Sequence, residues 1–140
     1  VDITSYLFFG GRCREALDFY AEALGAQIDF VMNFSESPDP IPLGQLAEGF
    51  EDKVMHASFR VGGTLIMASD GCDEKSKFGG FRLALSVAGA KQAEVAFEAL
   101  AVGGSVDMPL GPTFWSPCYG MVTDRFGVGW MVMVPGDPTS

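Results

Sequence analysis

Apolar positions along this chain recur with two different periods, and the switches between them predict its strands and helices. Residues 3–9 form a short apolar run, read as a strand and ended by Gly10-Gly11. From Cys13 to Leu24 the side chains Ala16, Leu17, Phe19, Tyr20, Ala23 and Leu24 return at helical spacing, and Gly25 stands where a left-handed C-cap belongs. Ile28, Phe30, Met32 and Phe34 alternate with Asp29 and Asn33, the pattern of a half-buried strand. Residues 35–54, rich in Pro, Ser, Gly and acids, read as a long mobile loop.

Met55, Ala57, Phe59 and Val61 then alternate with His56, Ser58 and Arg60, and Gly62-Gly63 separates them from a second run, Thr64–Ser69. Two glycines between such runs predict a two-residue hairpin. Its register would pair Val61 with Thr64, Arg60 with Leu65, Ser58 with Met67 and His56 with Ser69. Paired residues share a face, so these polar and thioether side chains project together, opposite the apolar set Ala57, Phe59, Ile66 and Ala68. That apolar set should meet a helix.

The pattern restarts after a loop around Gly71–Gly80. A strand is expected at Arg82–Val87 and a helix at Ala90–Val102, stopped by Gly103-Gly104. Short strands follow at Ser105–Met108 (cut off by Pro109), Tyr119–Thr123 and Gly129–Val134, with Pro135 and Pro138 closing the chain. Strand–helix–strand–strand–strand therefore occurs twice. An offset of 78 superimposes Leu7 on Leu85, Phe19 on Phe97, Gly25 on Gly103 and Asp29 on Asp107. We expect a single domain over 1–140, built from repeats at about 1–72 and 80–135.

The chain's 140 residues carry nine Lys or Arg against eighteen Asp or Glu, a net charge of −9. Such a balance repels phosphate backbones and anionic lipid, so neither a nucleic-acid nor a membrane partner is expected. No apolar run approaches the ~20 residues that span a bilayer, and Val1-Asp2-Ile3-Thr4 lacks the features of a signal peptide. Cys13, Cys72 and Cys118 are odd in number and widely spaced, which fits reduced thiols in a cytoplasm. No Gly-rich phosphate loop occurs, so no nucleotide cofactor is expected.

Several stretches carry a family resemblance: Tyr6-Leu7-Phe8-Phe9-Gly10-Gly11 leading into Glu15-Ala16-Leu17-Asp18-Phe19-Tyr20, His56-Ala57, Leu65–Asp70, Thr113-Phe114-Trp115, and Tyr119–Trp130. On these the whole chain resembles the PhnB-like branch of the vicinal-oxygen-chelate superfamily, which includes glyoxalase I, extradiol dioxygenases and bleomycin-resistance proteins. The resemblance implies an α+β fold of two βαβββ modules with curved mixed sheets, a ligand cavity on their concave faces, and a homodimer. Metal-dependent members place His, Gln or Glu at four positions, which fall here on Ser5, Met67, Arg82 and Met131. Thioethers and a guanidinium do not suit a hard divalent ion, so no metal is expected. Members of this branch are often labelled methyltransferases, but the sequence offers no Gly-rich strand–helix loop for a nucleotide-like cofactor.

His56, the one histidine, reads as a general base or ligand-binding group, or else as an ordinary strand histidine. Arg60 and Arg82 read as a bidentate clamp for a carboxylate or phosphonate, or as partners of rim acids. Ser58, Leu65, Met67, Ser69 and Met131 would line the hollow, with the methionines an adaptable apolar floor. Phe114 and Trp115 read as a lid or a dimer contact, and Trp130 as core. Cys118 lacks a nearby base in sequence. The function expected is a metal-free small-molecule-binding protein; the alternative is an enzyme acting on a small anion with His56 and Arg60 or Arg82.

Overall fold

The computed structural model describes residues 1–39 and 44–136. They form two compact units, Val1–Lys77 and Phe78–Ser140. Pro40–Leu43 of the expected loop, and Pro138, lie outside the described residues.

The first unit runs β1 (Ser5–Phe8), α1 (Cys13–Leu24), β2 (Gln27–Asn33), β3 (Val54–Val61) and β4 (Thr64–Ser69). Its sheet order is β1-β4-β3-β2, with β1 parallel to β4 and the other pairs antiparallel. The hairpin register matches the expected one from Val61↔Thr64 through Ala57↔Ala68. Helix α1 buries Cys13, Ala16, Leu17 and Tyr20, while the sheet buries Leu7, Ala57, Phe59, Ile66 and Ala68. The Tyr20 and Phe59 rings stack at 5.9 Å between these layers. Both are fully buried, and truncating such an aromatic to Ala costs about 3–5 kcal/mol.

The start of α1 has no local side-chain cap. Asp70, just past β4 and 1% exposed, supplies one from a distance. Its Oδ1 accepts the backbone N–H of Gly11 at 2.8 Å and of Cys13 at 2.7 Å, and Oδ2 accepts that of Val54 at 2.8 Å. One carboxylate thus satisfies an orphan donor of the helix at Cys13, the Gly11 donor just before it and the first donor of β3. At the other end Gly25 takes φ 67° and donates to Ala21 O, a conformation that disfavours any residue with a Cβ.

The stretch expected as a mobile loop is anchored at both ends. Short 3-10 turns at Phe34–Glu36 and Phe50–Asp52 bury Phe34 and Phe50, and Phe34 N donates to Lys53 O at 3.0 Å. Composition concealed this because two buried aromatics outweigh many polar neighbours.

The second unit repeats the order: β5 (Leu83–Ser86), α2 (Ala90–Ala101), β6 (Ser105–Gly111), β7 (Cys118–Thr123) and β8 (Gly129–Val134), arranged β5-β8-β7-β6. Strand β6 continues through Pro109 rather than stopping before it. It is an edge strand with a register shift between Met108 and Gly111, where a missing N–H is tolerated. Trp130 is core, as expected, and its Nε1–H donates to Asp124 Oδ2 at 2.9 Å. Among the described residues no helix is long and apolar enough to cross a membrane.

Candidate functional site

Strand register assigns each side chain to a face. In the first unit α1 covers the side bearing Leu7, Ala57, Phe59, Ile66 and Ala68. The other side carries Tyr6 and Phe8 from β1, Leu65, Met67 and Ser69 from β4, His56, Ser58 and Arg60 from β3, and Phe30 and Met32 from β2. Ser5 does not belong to this set. It pairs with Ile66 on the helix side, and Tyr6 is the β1 residue opposite Met67. Matching the chain through α1 alone misplaced this strand by one residue, which inverts its faces.

His56 is half-buried among aromatic rings. The Tyr6 hydroxyl lies 2.9 Å from its Nδ1, the two rings are 5.6 Å apart, and Phe30 lies 6.1 Å away. Phe8 packs on Tyr6 at 5.0 Å. Burial pushes the Tyr6 phenol upward, partly offset by a hydrogen bond with Ser69, while Cys13 adds a further upward push. Ser69 itself is buried; its Oγ accepts Gly71 N–H at 2.9 Å and donates to Val54 O at 3.3 Å.

Arg60 and Arg82 both pair with acids, the second of the two readings their sequence allowed. Arg60 holds Asp29 bidentately at 2.9 and 3.1 Å, and that bond keeps the Asp29 carboxyl below its ordinary range. Arg82 donates to Asp107 at 2.9 Å and to the carbonyls of Val122 and Trp130 at 3.3 Å. Asp107 also accepts from Thr123 at 2.5 Å; Thr123 first and Arg82 second hold its carboxyl low. The two acids occupy matching sites. Each falls at a register shift in the second strand of its unit, Ile28/Phe30 in β2 and Val106/Met108 in β6. A bulge inserts one residue and re-aims a side chain. It also separates Ile28, which pairs with Phe59 on the helix side, from Phe30 on the other face, correcting the simple alternation expected for β2.

In the second unit a depression of about 510 Å³ is lined by Phe78, Phe81, Arg82, Thr123, Met131 and glycines including Gly129. The Arg82 stem lies across Gly129, where an added Cβ would meet it at 3.0 Å. Phe114 and Trp115 are absent from this lining: Phe114 is 95% exposed, and Trp115 packs edge-on against Tyr119 at 5.3 Å. Cys118 is buried. Its carbonyl and amide are held by the Ser116 hydroxyl.

Residues 2–132 match the family model of the Glyoxalase/Bleomycin resistance protein/Dioxygenase superfamily. The chain belongs to that superfamily. The chain is 34% identical to protein YjdN of Escherichia coli over 141 residues, 94% of each protein. It is 43% identical to protein PA1353 from Pseudomonas aeruginosa, with TM-score 0.84 over 98% of this chain and 99% of that one. A PhnB protein from Bacillus cereus is 26% identical, with TM-score 0.78 over 96% of this chain and 99% of that one.

The donor chemistry of the four residues on which the resemblance placed metal ligands does not fit a divalent ion. Met67 and Met131 offer thioethers, the Arg82 guanidinium is already bound to Asp107, and Ser5 is on the helix side of its sheet. Among the described residues no group of three or more His, Cys, Asp or Glu is gathered as a metal site. Tyr6, Phe30 and the two bulge acids, which share the helix-free faces or tie their arginines, were not among the candidates read from sequence. The coincidence of Asp29 with Asp107 at offset 78 was the available signal for the acids.

Proposed function

We propose that this chain is a metal-free small-molecule-binding protein whose ligand is uncharged and largely apolar. The observation that carries this is the side of the first sheet turned away from α1. Tyr6, Phe8, Phe30 and Leu65 are 38–46% exposed there, beside Met32 and Met67. Exposed aromatics and thioethers gathered around a few polar atoms are the composition of a ligand-binding surface. The alternative, an enzyme using Arg60 or Arg82 on an anion, is disfavoured because an incoming carboxylate or phosphonate would have to displace Asp29 or Asp107. A homodimer belongs to the same proposal, supported by the exposed apolar side chains. The three free thiols support a cytoplasmic setting.

The test is native mass spectrometry of the protein isolated under gentle conditions, alongside elemental analysis. An apolar small-molecule adduct in the wild type, lost in Phe30→Asp with folding retained, is the expected outcome. Stoichiometric Zn, Ni, Mn or Fe accompanied by turnover of a thiohemiacetal or catechol would overturn the proposal.

A further inference from the structure

The Tyr6–His56 contact fixes more than a ring position. A hydroxyl 2.9 Å from Nδ1 either gives its hydrogen to that nitrogen or receives one from it. A phenol O–H is the stronger donor of the two groups and an imidazole nitrogen the stronger acceptor, and Ser69 directs its own hydrogen to Val54 O, so the Tyr6 hydrogen goes to Nδ1. Burial works against phenol ionisation, so that hydrogen is present. A neutral imidazole has one N–H, and with Nδ1 accepting, it resides on Nε2.

Nε2 has no hydrogen-bond partner among the described residues. No buried side-chain nitrogen or oxygen among them is unpaired, so Nε2 reaches open space. Around it stand Phe30 at 6.1 Å, Tyr6 with Phe8 behind it, and Met32 directly across the ladder. The result is an imidazole N–H beside aromatic rings and a thioether, with the Ser58 hydroxyl two residues along the same strand face.

We infer that Tyr6 locks His56 as its Nε2–H tautomer, so that the imidazole donates a hydrogen bond to a planar aromatic ligand bearing an acceptor atom. The inference rests on the small-molecule reading above and names its ligand class. It also removes the general-base role that the sequence allowed for His56, because the outward nitrogen has no lone pair to offer while the ring is neutral. Tyr6 is a positioning residue: it acts through His56.

A single histidine makes the test direct, since one imidazole gives the whole nitrogen spectrum. Long-range proton–nitrogen correlation in alkaline solution, where free imidazole is neutral, should show Nε2 protonated and Nδ1 bare. Tyr6→Phe keeps the ring packing and should give a mixture of tautomers with an unchanged fold by circular dichroism. Quinoline, planar with one ring nitrogen, should shift both the His56 Nε2 resonance and the Met32 and Met67 methyls. His56→Phe should weaken quinoline binding by about three- to ten-fold, the range of one neutral hydrogen bond, and leave naphthalene binding nearly unchanged. A resting Nδ1–H tautomer would overturn the inference. So would quinoline moving the methyls without moving Nε2, although the small-molecule reading would stand. If neither quinoline nor naphthalene moves any methyl of that face, both fall together.

Discussion

Replacing Asp70 should damage the first unit far more than its place in a short loop implies. The carboxylate is 1% exposed and accepts three backbone N–H groups at 2.7–2.8 Å. Hydrogen bonds to charged groups contribute about 1.5–3 kcal/mol each, and every buried donor left unpaired costs about 1–3 kcal/mol. Cys13 and Val54 are buried, whereas Gly11 is half-buried and its amide can turn to water. Asp70→Ala should therefore cost about 4–6 kcal/mol, a large part of the ~5–15 kcal/mol that holds a domain folded. Asp70→Asn can still accept with one oxygen, yet it presents an NH₂ group to one of the three donors. Its cost should be smaller, about 2–4 kcal/mol.

Urea unfolding followed by far-ultraviolet circular dichroism reports the global loss. Native-state hydrogen exchange at Cys13 and Val54 reports whether those amides have lost protection. The graded order, wild type above Asn above Ala, is the diagnostic result. If Asp70→Ala unfolds within about 0.5 kcal/mol of wild type, the scatter usual for surface substitutions, the claim that one carboxylate joins the start of α1 to β3 is wrong.

Three further outcomes follow from the same geometry. Burial first, the Asp70 charge second, push the Cys13 thiol from its ordinary 9.0 up to about 12, with Arg14 opposing. The unfolded thiol ionises first, so this stabilising contribution is complete below about pH 9. It fades by about 1.4 kcal/mol per pH unit toward pH 12, and Cys13→Ala should flatten that slope in alkaline urea titrations. Arg60→Gln should leave the melting temperature nearly unchanged, because its ion pair is exposed, while the Asp29 carboxyl returns upward toward its ordinary range by NMR titration. Gly104→Ala should lower stability by more than about 2 kcal/mol in thermal unfolding, since its Cβ would overlap the Thr123 carbonyl.

Periodicity made the elements legible, and the Gly62-Gly63 hairpin made one register legible, because a two-residue turn fixes pairing by itself. Helix α1 begins and ends where apolar spacing and Gly25 place it. Long-range events were hidden. Asp70 lies 57 residues from Cys13, so no local pattern marks it as the helix cap. The face of β1 depends on how that strand slides along β4, which alternation within β1 cannot determine. Bulges are hidden for a related reason: an extra residue looks in sequence like an unbroken alternation, and Asp29 seemed merely the polar member of a strand.

Those bulges bear on the kind of ligand proposed for this protein. A chain of net charge −9 that bound anions would need an uncompensated cation at its site, because the long-range field opposes approach. Arg60 and Arg82 are the cations the sequence offers on the helix-free faces, and a bulge in each unit delivers an aspartate to each. The same acid thus occurs at the same irregularity of two separate sheets, tying a guanidinium in each case. An anionic ligand gains little where it must displace a carboxylate already bound there, whereas an uncharged one leaves the pair intact. Under the proposed function, selection among ligands would then pass to shape and to donors such as His56, in a surround of aromatic rings and thioethers.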